Sequence, residues 1–348
     1  MALLEVEDLK VSFRTADGTV QAVRGVTYDI EAGQTLGIVG ESGSGKSVST
    51  QSIMGLTRGA QVSGRALFEG KDLLTASSQE MRQIRGAKIR MIFQDPLSSL
   101  HPYYRIGWQI VEMIRLHERV SKDDARKRAV ELLRLVGIPH PDKRVSDFPH
   151  QFSGGMRQRA MIAMAMALNP ALLIADEPTT ALDVTVQAQV LRVIRRMQEI
   201  FGTAVILITH DLGVIADVAD EVLVLYGGKV MERADRRTLF AASHHPYTEG
   251  LLQSLPAYGG ARERLRPIPG QPPSLLDPPP GCPFAPRCPY VMDRCREQMP
   301  ALDPAGGQLG HLSACWLPHA SAERAELRRK VLHAEPAAAA PSVDIAGA

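Results

Sequence analysis

Eight consecutive residues constrain this chain more than any other feature. Gly40-Glu41-Ser42-Gly43-Ser44-Gly45-Lys46-Ser47 fits G-x-x-x-x-G-K-[ST], and the short apolar run Thr35-Leu36-Gly37-Ile38-Val39 precedes it. The glycines let the backbone wrap around a phosphate, so that successive N–H groups converge as an anion nest. A helix beginning near Lys46 would add the positive end of its dipole. Gly40, Ser42, Gly43, Ser44, Gly45 and Lys46 are therefore expected to hold the phosphates of ATP. Lys46 is placed to reach the terminal phosphates, and the Ser47 hydroxyl to ligate Mg²⁺.

A second apolar run, Ala171-Leu172-Leu173-Ile174-Ala175, ends in Asp176-Glu177. Asp176 at the strand end suits Mg²⁺. Glu177 points to the other side of the chain, where it can polarise an attacking water. Around these motifs, residues 1–255 read as an α/β domain. Leu3 to Phe13 alternates as a strand, and Gly18 supplies a hairpin turn before Val20 to Ile30. Further buried strands are expected at 89–93, 171–175 and 204–208, with helices at 122–136 and 186–200. That alternation predicts a mostly parallel sheet covered on both faces.

Composition narrows the function classes. Lys plus Arg number 40 and Asp plus Glu 38, which leaves no basic footprint for nucleic acid. The start of the chain does not read as a signal peptide, and no apolar run reaches the roughly 20 residues of a spanning helix. If the chain works at a membrane, it is expected to dock onto other subunits from the cytoplasm.

Between the two nucleotide motifs lies Phe152-Ser153-Gly154-Gly155-Met156-Arg157-Gln158-Arg159, which resembles the signature motif of ATP-binding-cassette (ABC) ATPases. Gln94 resembles the family's Q-loop glutamine, Ala181-Leu182-Asp183 its D-loop, and His210 its switch histidine. Phe13 stands where the family sets an aromatic ring against adenine. Together these motifs span residues 13–210 in the family's order. Phe152 and Met156 replace the Leu and Gln of the commoner LSGGQ signature, which puts the missing glutamine's contacts in question. The resemblance implies a P-loop NTPase fold of the ABC type with a helical subdomain. Gln94 would join Ser47 and Asp176 at Mg²⁺, and Glu177 and His210 would serve hydrolysis. Ser153, Gly154, Gly155 and Met156, with Asp183, would act across a dimer on nucleotide held by a partner. Gln94 is expected to sense the γ-phosphate, and Leu97 and Leu100 to help form a docking surface for the membrane subunits.

After Pro256 the chain turns proline-rich, and all four cysteines, Cys282, Cys288, Cys295 and Cys315, fall within 34 residues. In a chain without a signal peptide, such a cluster points to metal before disulfides. The spacing C-x₅-C-x₆-C-x₁₉-C alone leaves iron–sulfur and zinc nearly balanced. His245-Pro246-Tyr247-Thr248, Gly281-Cys282-Pro283-Phe284, Arg287-Cys288-Pro289 and the segment from Gln94 to Pro102 resemble the ATPases of oligopeptide, dipeptide and nickel importers. That branch implies a small irregular C-terminal domain (256–320) carrying a [4Fe–4S] cluster on the four cysteines, with Zn²⁺ as the alternative. A tail (321–348) follows, with a helix at 322–332 capped by Ser321. The branch also implies two integral-membrane permeases, a second related ATPase (a homodimer being the alternative) and an extracytoplasmic solute-binding protein. The chain is then expected to sit on the cytoplasmic face of the inner membrane. Peptide is the expected solute, with nickel, glutathione or sugars open, and a soluble non-transport cassette ATPase is the rival class.

Overall fold

The computed structural model describes residues 2–94, 99–180, 182–255, 267–305 and 310–318. Two sheets share the work. The first is antiparallel, in the order β2-β1-β4-β5, built from β1 (Ala2–Thr15), β2 (Gly18–Glu31), β4 (Ala60–Phe68) and β5 (Lys71–Asp72). β1 and β2 form the hairpin expected at Gly18, whose φ of 137° lies where a side chain is strained.

The second sheet runs β11-β12-β10-β9-β3-β8-β7-β6. Its parallel part comprises β9 (Glu221–Tyr226), β3 (Thr35–Val39), β8 (Ala204–Thr209), β7 (Leu172–Asp176) and β6 (Ile89–Ile92). β3, β7 and β8 are buried along their whole length, which is why they read as unbroken apolar runs. β10 (Lys229–Asp235) adds antiparallel to β9. The two-residue strands β12 (Leu312–Ser313) and β11 (Asp303–Pro304) then continue the sheet outward. The segment after residue 256 is thus stitched onto the cassette's own sheet.

Helices Ile106–His117, Lys122–Leu135 and Gly154–Ala165 pack on one another as the expected helical subdomain. The helix expected at 186–200 runs Val184–Phe201. Among the described residues no helix is long and apolar enough to cross a membrane. The tail helix expected at 322–332, Leu97 and Ala181 lie outside the described residues. Leu100 corrects the sequence reading: it is only 3% exposed and belongs to the core, so it offers no docking surface. The exposed apolar side chains nearby are Phe93, Tyr103, Tyr104 and Trp108.

Candidate ATP site

Four chemical groups converge because four neighbouring parallel strands, β3, β8, β7 and β6, end on one side. The phosphate loop follows β3, Asp176 closes β7, His210 follows β8, and Gln94 comes two residues after β6. The carboxyl edge of such a sheet is where α/β folds place their ligands. A cavity of about 710 Å³ lies there, lined by Gly40 through Val48, Gln94, Glu177, Thr180, His210 and Leu251.

The loop's conformation depends on its glycines. Gly40 has φ 153°, and a Cβ there would stand 2.1 Å from the Leu225 carbonyl oxygen. Gly45, at φ 95°, leads into helix Lys46–Ile53. Lys46 folds back so that Nζ donates to the carbonyls of Gly40 (2.7 Å) and Glu41 (2.9 Å). Burial pushes the Lys46 ammonium's pKa down, while Glu177, Asp176 and Glu41 push the other way. Ser44 Oγ is buried without a partner among the described residues. A buried orphan hydroxyl is costly, and a phosphate oxygen would satisfy it.

Asp176 and Glu177 divide their contacts between two sides of the chain. Asp176 accepts from Ser47 Oγ at 2.6 Å and from Gln51 Nε2 at 3.3 Å. Burial raises its pKa, against the pull of those two hydrogen bonds and of Lys46. A hydroxyl beside a carboxylate is the hard-oxygen donor pair that Mg²⁺ takes. Glu177 has a left-handed φ of 46°, rare for a side-chain-bearing residue, and its N–H donates to the Ile208 carbonyl. That turn sends its carboxylate into the cavity. Oε2 accepts from Gln94 Nε2 (3.1 Å) and Thr180 Oγ1 (2.8 Å), and Oε1 lies 3.4 Å from His210 Nδ1.

The remaining expected residues stand elsewhere. Ser153 caps helix Gly154–Ala165, its hydroxyl accepting from the Met156 N–H, and Asp183 caps Val184–Phe201 in the same way. Neither Ser153, Gly154, Gly155, Met156 nor Asp183 lines the phosphate cavity. Gly155 is required by packing, since a Cβ would meet Val186 Cγ1 at 2.7 Å. Phe13 pairs with Val20 and Ala60 and packs on the core beneath the antiparallel sheet, also off the cavity lining. Sequence reasoning did not single out Gln51, Thr180, the contact of Tyr247 with the phosphate loop, or the partnership of Glu41 with Arg287. Glu41, Tyr247 and Arg287 sit inside motifs already quoted, but no motif signals their contacts, and Glu41 and Arg287 are 246 residues apart.

The four cysteines form no disulfide and share one small, mostly apolar cavity of about 20 Å³, walled also by Phe284, Tyr290 and Trp316. Burial pushes the Cys282 thiol up to about 11 and that of Cys288 up to about 12. Among the described residues no group of three or more His, Cys, Asp or Glu is arranged to hold a metal ion. The donor chemistry of four thiols around one cavity suits a cluster. The arrangement among the described residues thus does not by itself show the metal site expected from the sequence.

A phosphate loop, a paired Ser and Asp, and a cradled carboxylate at the end of a mixed sheet with a helical subdomain define an ATPase cassette of the ABC type. The model of the ABC transporter family matches residues 23–180, and that of the oligopeptide/dipeptide transporter C-terminal region matches 231–295. A dimeric structure of MJ0796, a bacterial ABC transporter cassette, has 27% identity and TM-score 0.61, covering 67% of this chain and 99% of that one. The oligopeptide transport ATP-binding protein OppD of Bacillus subtilis (strain 168) is 53% identical over 328 residues, 93% of this chain and 91% of that protein. The dipeptide transport ATP-binding protein DppD of the same organism is 52% identical, covering 93% and 97%. OppD of Escherichia coli (strain K12) is 48% identical, covering 91% and 94%. The chain belongs to this family of oligopeptide and dipeptide transport ATP-binding proteins.

Proposed function

We propose that the chain is the ATP-hydrolysing subunit of an importer of di- and oligopeptides. The observation that carries this reading is that one polypeptide joins a complete phosphate site to the C-terminal region typical of such transporters. Residues 1–255 would be the motor, 256–320 the family-specific region, and 321–348 a tail.

In hydrolysis, Glu177 takes a proton from water as that water attacks the γ-phosphorus, and the bond to the β-phosphate oxygen breaks to release ADP. Thr180 and Gln94 hold the carboxylate from one side and His210 from the other. Gly40, Ser42, Gly43, Ser44, Gly45 and Lys46 cradle the phosphates, and adenine would lie beyond this cavity, against the half-buried ring of Phe13. Mg²⁺, held through Ser47 and Asp176 with Gln94 nearby, would neutralise charge on the β- and γ-oxygens. Ser153, Gly154, Gly155, Met156 and Asp183 lie off this cavity, which supports their use on the nucleotide of a second, related ATPase subunit or a second copy.

Two integral-membrane permeases would dock on the groove of about 280 Å³ lined by Met54, Leu56, Phe93, Ser99, Met161 and Met164. The exposed rings of Tyr103, Tyr104 and Trp108 follow soon after in the chain. The complex would meet an extracytoplasmic solute-binding protein, leaving this chain on the cytoplasmic face of the inner membrane. Purification of the native complex through this chain tests the reading. Co-purifying membrane-spanning permeases are expected, whereas a soluble assembly alone would contradict it.

For the cysteines, we propose a [4Fe–4S] cluster on Cys282, Cys288, Cys295 and Cys315. Their gathering around one cavity supports this, and the cluster would supply a structural cross-link. Anaerobic purification should yield equimolar iron and acid-labile sulfide. Stoichiometric zinc without sulfide, or no metal, would refute it.

A further inference from the structure

The phosphate loop is tied to the cysteine-bearing segment by one buried side chain. Arg287 adjoins Cys288, yet its guanidinium reaches Glu41, the second residue of the loop. Nη1 donates to Glu41 Oε2 at 2.6 Å and Nη2 to Oε1 at 3.0 Å, a bidentate pair. The other N–H groups go to Tyr226 Oη (3.0 Å) and the carbonyls of Ile268 (3.2 Å) and Pro269 (2.8 Å). With five N–H donors in all, the fork is fully used. The Arg287 side chain is 5% exposed and that of Glu41 26%.

Glu41 is also held through its backbone. Its N–H donates to Tyr247 Oη at 2.8 Å, and its carbonyl accepts from Lys46 Nζ. Tyr247, Tyr226 and Phe284 pack against one another, tilted or edge-on, at centroid distances of 4.5–5.4 Å, and Phe284 also walls the cysteine cavity. Glu41 lines the cavity built for the polyanionic phosphates. A free carboxylate there would repel the ligand that the loop exists to bind, and Arg287 both neutralises it and turns it away.

We propose that Arg287 is a positioning residue for nucleotide binding: by pairing with Glu41 it removes a negative charge from the phosphate loop and makes ATP affinity depend on the docked cysteine segment. The inference rests on the phosphate loop being the nucleotide site. Like charges a few ångströms apart near a surface repel, so release of Glu41 should weaken ATP about tenfold, or about 1.4 kcal/mol.

The test measures MgATP affinity by calorimetry in the assembled complex, with Arg287→Gln, Glu41→Gln and the double variant. The wild-type measurement checks the site itself; failure to bind there removes that reading, and this inference with it. Arg287→Gln is expected to raise Kd about tenfold with kcat at saturating ATP within about twofold. The loss should shrink at high salt, because the repulsion is screened. Glu41→Gln in the same background should restore the affinity, which removal of a merely structural clamp would not do. Glu41→Gln alone, which needs no disruption of Arg287, should bind ATP as tightly as wild type or more tightly. Wild-type affinity in Arg287→Gln, no rescue in the double variant, or weakened binding in Glu41→Gln alone would each overturn the proposal.

Discussion

Replacing Glu177 by Gln removes the proposed base and little else. The side chain keeps its length, and its remaining carbonyl oxygen can still accept from Thr180 Oγ1, the shorter of its contacts at 2.8 Å. That oxygen keeps Gln94 as well, so what is lost is the acceptor oxygen facing His210, which costs stability by about 1 kcal/mol. In a chain of this size that lowers Tm by only about 2 °C. Loss of the base is far larger: general-base contributions of about 10²–10⁴-fold correspond to about 2.7–5.4 kcal/mol on the barrier. The phosphate and Mg²⁺ contacts, carried by Lys46, Ser47 and Asp176, do not pass through residue 177. The expected result is therefore ATP bound with near-normal affinity, turnover reduced at least about a hundredfold, and a closed dimer trapped with ATP. Steady-state ATPase measurements on the assembled complex, paired with retention of labelled ATP, provide the assay. Turnover within about threefold of wild type would remove Glu177 from this role, since no position in the cited range of base contributions allows it.

Other consequences follow from the same geometry. Lys46→Ala should lose ATP binding, read by calorimetry, while melting near the wild-type temperature. Gly155→Ala puts a Cβ at 2.7 Å from Val186 Cγ1 and should cost about 1–3 kcal/mol in denaturant unfolding through overpacking. Glu232 is fully buried; burial alone would raise its pKa, but hydrogen bonds from His311 and the amides of His244 and His245 bring it below its usual 4.5. A carboxylate depressed in the folded state stabilises above its unfolded pKa and loses that contribution as pH falls through the folded one. Thermal melts should therefore show wild type losing stability more steeply than Glu232→Gln below about pH 4.5; parallel curves would refute the assignment.

The nucleotide site was legible because its chemistry is local. A glycine-punctuated loop, an apolar strand with two terminal acids, and a histidine after an apolar strand each carry their meaning within about ten residues. β3, β7 and β8 announced themselves because full burial removes polar interruption. β4 did not: its exposed residues include Gly64 at φ 108°, beside a register shift in β1 at Glu7 and Lys10. β12, two residues long, has no periodicity to read and exists through pairing with Glu232 and Arg233. Leu100 was misread because polar neighbours, Ser99 and His101, suggested a surface that tertiary packing covers. The link from Arg287 to Glu41 left no local trace at all. Four cysteines gathered at one cavity as their clustering implied, yet nothing in their spacing foretold how little room they enclose.

The most direct test of the account is uptake of labelled di- and oligopeptides into proteoliposomes holding the purified complex, with ATP supplied on the side of this chain. Uptake that requires ATP, stops with Lys46→Ala and is abolished by Glu177→Gln is the expected result. A complex that hydrolyses ATP through this chain while moving no peptide would contradict the proposed function.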